Sequence, residues 1–205
     1  MAISQVLLYN MALANLGEYS IAATTDDTKP ATLCNLYWEV AYQGALQAGT
    51  WSFATQVADL TVTSETPDDW AYEYELPTDF LRAIEIPLAG ALLQSTEYYA
   101  GQVSLRAEYA MRYSSSAMYF YCNVQDASLR YIYDNDTYAE WPSWFAEFAA
   151  ARLSMMIAYP LTGKPGERER MQRLEQQMLL QAINYDSTTQ KKAIPDYNKY
   201  TLGRG

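Results

Sequence analysis

Histidine is absent from the 205 residues. That removes the commonest general base near neutral pH and the commonest metal ligand. Cysteine is scarce. Cys34 and Cys122 are the only two, and their separation fits no zinc pattern and offers no third or fourth ligand. Each is expected to be a free thiol in apolar surroundings, as in a reducing compartment. No G-x-S-x-G segment occurs, so a serine nucleophile has neither its elbow nor an imidazole to activate it. A long membrane-like run is also missing. The nearest approach, residues 143–161, contains Glu147 and Arg152 and reads as a central helix of a soluble assembly. The opening Met-Ala-Ile-Ser-Gln-Val lacks a basic start and an apolar run, so no secretory leader is expected.

Positive charge is sparse too, with 14 Lys and Arg against 24 Asp and Glu. The formal net charge of −10 is uneven. Residues 51–141 hold 14 acidic and 4 basic side chains, residues 142–186 balance, and residues 187–205 carry a small basic excess. Such asymmetry speaks to partners rather than to fold. Tyrosine is plentiful instead: 19 copies, with 5 Trp and 5 Phe. Tyr and Trp join an apolar body to a polar tip and suit both strands and interfaces.

Hydrophobic spacing predicts a helix over residues 3–16, with Ile3, Leu7, Met11 and Ala14 on one face and Gly17 just past its end. The polar turn 24–28 leads to a second helix with Pro30 in its first turn, running to about Ala48. Its apolar residues occupy nearly every face, which implies burial on more than one side. From Trp51 the period changes to two. Short strands are predicted at 52–62, 70–76, 81–86, 103–113, 117–124 and 128–133, forming one mostly antiparallel sheet. Trp70, Tyr72, Tyr74 and Leu76 should share one face of the second strand, with Glu73 and Glu75 on a solvated opposite face.

After Trp141 the helical period returns. Residues 142–159 are apolar nearly all round, and Pro160, Gly163, Pro165 and Gly166 are expected to break the chain. A last amphipathic helix, about 166–185, sets Met171, Leu174, Met178, Ala182 and Tyr185 inward and Arg168, Arg170, Arg173 and Glu175 outward. Residues 187–205 have no periodicity and read as an extended arm. The expectation is an α+β fold. Segments 1–50 and 142–186 would make a helical body, segment 51–141 a β-rich insertion, and segment 187–205 a C-terminal arm. Two helices without a polar face exceed what one such body needs, so neighbouring subunits should cover part of them.

Fragments of chemistry are weak. Thr162-Gly163-Lys164 matches the end of a phosphate loop without its first glycine, and a proline follows where Ser or Thr should hold magnesium. A helix–helix turn is the better reading. Paired carboxylates at Asp68/Asp69, Glu73/Glu75 and Asp134/Asp136 invite comparison with glycosidases, yet solvated charge and turn formation account for them. Lys191, Lys192, Lys199 and Arg204, interleaved with Tyr197 and Tyr200, form the one basic footprint. They suit an acidic protein groove, the preferred reading, or a nucleic-acid backbone.

Several segments together resemble a family. W-S-F-A at 51–54, W-A-Y-E-Y-E-L-P-T-D-F-L-R at 70–82, L-R-Y-I-Y at 129–133, W-P-S-W-F-A-E-F-A-A-A-R-L at 141–153 and P-L-T-G at 160–163 carry the likeness. In this order, over roughly residues 3–185, they look like the tail tubular protein A family, head–tail adaptors of short-tailed bacteriophages. The resemblance implies a structural role and no catalytic residue, cofactor or metal. It implies a homo-oligomeric ring of about twelve copies in the tail or neck of the virion, assembled in the host cytoplasm. The ring would sit between the phage portal protein and the tail nozzle, tail tubular protein B. It would line a channel that DNA crosses without specific binding, with no membrane contact. The arm residues Lys191, Lys192, Tyr197, Lys199, Tyr200 and Arg204 would then reach toward the portal. The alternatives are a carbohydrate-binding tail module, using stacked Tyr and Trp, and a peptidoglycan-degrading one, using Glu73 and Glu75.

Overall fold

The computed structural model describes residues 2–64, 69–86, 108–114 and 117–189. Its architecture is α+β, and the described part builds three layers: helices, a three-stranded sheet and a four-stranded sheet.

Helix α1 spans Gln5–Asn15 and α2 spans Lys29–Gln47. Each starts where a hydroxyl meets an orphan amide: Ser4 accepts from the Leu7 N–H, and Thr28 accepts from the Ala31 N–H. Gly17 turns away beyond α1 with φ +74°, a conformation that only glycine takes without strain. A short 3₁₀ turn, Ser52–Ala54, leads into the strands. These are β1 (Thr55–Asp59), β2 (Thr61–Val62), β3 (Tyr72–Glu75), β4 (Phe80–Glu85), β5 (Tyr109–Ser114), β6 (Ala117–Cys122) and β7 (Ser128–Tyr133). The predicted single sheet is two, both antiparallel, in the orders β1-β7-β4 and β2-β3-β6-β5. Residues 103–107 of the predicted fourth strand lie outside the described residues.

The two sheets exist because the middle one has work on both faces. Along β7, Ile132 enters the helical core, while Leu129 and Tyr131 enter a second core with Tyr74, Phe120 and Cys122 from the outer sheet. Tyr72 and Leu76 pack against that second core, as the alternation predicts, whereas Trp70 precedes the strand.

Helix α3, Ser143–Thr162, and helix α4, Pro165–Thr189, complete the body. Pro160 does not end α3. It falls in the last turn, where its missing N–H deprives only the Met156 carbonyl, and Gly163 at φ +70° ends the helix instead. At the other end, residues 187–189 belong to α4 and not to the arm. Asp186 explains the extension: its carboxylate accepts from the backbone N–H of Ser52 at 3.0 Å and its hydroxyl at 2.6 Å, pinning the helix to the 3₁₀ turn. The inward stripe of α4 therefore carries Met171, Glu175, Ala182 and Asp186, and the predicted inward Tyr185 is exposed.

Candidate assembly surface

Helix α3 is the hub of the body and packs against α1, α2 and α4. Its Ala146, Ala149, Ala150, Ala151 and Ala158 let neighbours approach closely, and Phe145, Phe148, Leu153 and Ile157 fill the space between them. Ser154 ties α3 to α1, lying 3.1 Å from the Ala12 carbonyl and accepting from the Asn15 amide at 3.1 Å. Arg152 ties it to α4 through a 2.9 Å bridge to Glu175, which is buried and not on the outer face that the helical period gives it. Arg152 also passes against α2 at Gly44, where a Cβ would meet the guanidinium at 2.7 Å. A side chain at position 44 would displace the guanidinium.

An aromatic chain joins α1, α2 and α3 to the segment 138–141 that follows β7. Trp38 meets Tyr9 and Tyr138 edge-on at 5.5 and 5.7 Å, and Trp141 meets Phe145 at 4.9 Å. Polar tips are satisfied inside: the Trp38 indole donates to the Tyr138 hydroxyl and the Trp141 indole to the Asn135 carbonyl. The Asn135 side chain also accepts from the Thr137 N–H, a local side-chain turn over 135–137 of the kind that its residue type favours. Burial pushes the Tyr9 and Tyr42 hydroxyls well above the ordinary tyrosine range and raises that of Tyr138. Nearby Asp136, Asp134 and Glu39 push Tyr138 further. The Cys34 thiol is pushed up to about 11 by burial, and Cys122 is raised for the same reason. Both are free and buried, as expected, and such thiols are protonated and unreactive at neutral pH.

So α3 is enclosed within one chain except at Ser143, Glu147 and Tyr159, whereas α2 and α4 leave aliphatic side chains outside. On α2, Leu36 is 66% and Val40 59% exposed, one turn apart on the side opposite Trp38 and Cys34. On α4, Leu180 is 68% exposed on the side opposite Met171 and Ala182, and Ile183 is 44% exposed at the edge between the two sides. Helix α3 packs against both α2 and α4, so the two pairs stand on different neighbours of the hub. A groove of about 390 Å³ also opens beside α2, lined by Tyr37, Met155, Met156, Tyr159, Pro160 and Arg168.

The sequence-predicted sites fare differently. Lys191, Lys192, Tyr197, Lys199, Tyr200 and Arg204 lie outside the described residues, as does Asp68. Gly163 and Lys164 form the α3–α4 turn, so no phosphate loop is built. Glu73 and Glu75 share a strand face, but that face is not simply solvated. Glu73 is only 7% exposed and accepts from the Tyr121 hydroxyl at 2.7 Å and the Thr63 hydroxyl at 2.8 Å. Arg112 lies 5.5 Å above the Tyr121 ring and pairs with Asp69. The alternation rule missed Glu73 because period two gives the face of a residue and not what covers that face. Tyr74 is fully buried, and its hydroxyl donates to the Val124 carbonyl, which leaves it closing a core rather than forming a stacking platform. Among the described residues no cluster of three His, Cys, Asp or Glu side chains could hold a metal ion. Nor is any helix there long and apolar enough to cross a membrane. No protein-family model matches the chain, and no curated protein matches its sequence.

Proposed function

We propose that the chain is a structural adaptor subunit of a bacteriophage head–tail junction, forming a ring between portal protein and tail nozzle. One observation carries the reading: a body whose central helix is largely enclosed still exposes large aliphatic side chains on two other helices. Rings need this. A heterologous contact uses two unlike patches per subunit, and repetition closes when the rotation permits. The order of aromatic segments that resembles tail tubular protein A supplies the specific assignment. The acidic load of residues 51–141 supports a channel that DNA phosphates cross without adhering.

Mass measurement of the purified protein, alone and with portal rings, tests the assignment. The expected result is a stable complex of several copies per portal ring. Deleting residues 190–205, the arm as bounded by the end of α4, should leave the fold intact and weaken that capture. Failure to bind portal, together with clearing of cell-wall suspensions that disappears in Glu73→Gln, would replace the adaptor by a hydrolase.

A further inference from the structure

We infer that the C-terminal segment 190–205 docks along the outer face of α2 in its own chain, on the strip made by Leu36 and Val40. The two aliphatic side chains stand one turn apart and are 66% and 59% exposed. Carboxylates border them. Glu39 and Asp134 both accept from the Gln43 amide, at 3.4 and 2.9 Å, and Asp136 stands with them around Tyr138. None of the three is in an ion pair among the described residues. The bases on or beside α2 are engaged or turned elsewhere. Lys29, in the first turn, donates to the Leu161 carbonyl, and Arg82 is held past the last turn by the Gly49 carbonyl. Arg152 is paired with Glu175, and Arg168 lines the groove at Tyr37, about 100° round the helix from Leu36. The strip therefore suits a segment that is apolar and basic together.

Charge, position and length select the occupant. Residues 190–205 hold Lys191, Lys192, Lys199 and Arg204 against the single acid Asp196, interleaved with Ile194, Tyr197, Tyr200 and Leu202. The segment also starts beside α2. Asp186 of α4 holds Ser52, and Ile183 and Ser187 line one depression with Gly49 and Thr50, just past the end of α2. Leu36 lies only about 17 Å before that end, counted along the helix, whereas the segment can span up to about 50 Å. The strip is thus within easy reach of the same chain, at an effective concentration that the segment of another copy does not match. The contact does not depend on the head–tail role. On that reading, the segment leaves α2 for the portal, and Leu36 and Val40 open to a neighbouring subunit only then.

Paired cysteines read the contact in the full chain without portal, because Cys34 and Cys122 are both buried. Tyr197→Cys is combined either with Val40→Cys on the strip or with Leu180→Cys, an exposed aliphatic position about 14 Å before the end of α4. Under mild oxidation the Val40→Cys pair should close a disulfide within one chain several-fold faster than the Leu180→Cys pair, at a rate independent of protein concentration. Adding Glu39→Gln and Asp136→Asn should slow that closure several-fold, and high salt should do the same. Leu36→Cys replaces Val40→Cys where the latter fails to fold. Equal rates at the two positions, links between chains in place of links within one, or closure indifferent to Glu39→Gln and Asp136→Asn each overturn the inference. Failure to join portal rings, by contrast, removes the head–tail role and leaves this contact standing.

Discussion

The helices and the sheets use their buried polar groups differently. In the helical body Ser154, Glu175 and Asp186 are buried and join one element to another, and the surplus outside is aliphatic: Leu36, Val40, Leu180 and Ile183. In the sheets the interior takes in polar groups and partners them locally. Glu73 sits under Tyr121 and Thr63, and Tyr131 donates to Asp79 at 3.0 Å, while nearer the surface Arg130 pairs with Glu85 at 2.7 Å. The exposed apolar residues of the sheets stand one or two to an edge strand, as Val57 on β1, Val62 on β2, and Met111 and Tyr113 on β5. A thin sheet layer cannot bury all its polar tips at the surface, so tyrosine hydroxyls and carboxylates must meet each other inside. The alanine-lined hub keeps its polar pairing for contacts between helices, Ser154 with α1 and Arg152 with Glu175 of α4.

The sharpest break of this contrast is at the hub. Phe148→Ala should destabilise the protein by about 3–5 kcal/mol in urea unfolding, since the ring is fully enclosed. Trp144→Ala, at a half-buried position, should cost clearly less. Equal costs would mean that α3 is not the centre of the body. Next in size is Gly44→Ala, at about 1–3 kcal/mol, because the new methyl meets the Arg152 guanidinium that Glu175 holds in place. The cost should shrink in an Arg152→Ala background, and strict additivity in that cycle would remove the steric account.

On the sheet side, Glu73→Gln should cost about 1–2 kcal/mol by weakening two hydrogen bonds to a charged acceptor. Hydrogen exchange should quicken in β3 and β6, with protection in α3 unchanged; a matching loss in α3 would mean that both regions open as one. The smallest and broadest effect is that of pH. Burial first, then hydrogen bonding to Asp79, pushes Tyr131 up to about 12, and Tyr74 and Tyr133 are raised mainly by burial. A group that loses its proton less readily when folded stabilises the fold while protonated. That contribution is complete below the unfolded tyrosine value of about 10 and is lost as pH rises through the folded value. The melting temperature should therefore fall steadily from about pH 10 upward, and a curve flat to pH 12 would contradict the buried hydroxyls.

How much of this was legible in the chain differs by feature. Ser4 and Thr28 with their following apolar runs mark two helix starts, and the alternation of Tyr72, Tyr74 and Leu76 marks the core face of β3. Such signals are local, because capping and periodicity involve residues within a turn or a few positions. The surplus of apolar residues on α2 was equally readable from spacing. The split into two sheets was not, since the residues that decide it face each other across strands far apart in sequence. The candidate surface was half legible: the α2 flank follows from its all-round composition, whereas the exposure of Leu180 and Ile183 depends on which side of α4 turns to the hub.

Composition and periodicity by themselves determined the α+β class, the order of helices and strands, the free buried thiols and the excess of greasy helix surface. Tertiary structure alone decided that α3 takes the enclosed place, that Gly44 makes room for Arg152, that Glu73, Glu175 and Asp186 turn inward, and which flanks stay open. The physical reason is range. Capping and alternation act along the chain, while a carboxylate 134 residues from Ser52 can be placed only by the packing that brings the two together.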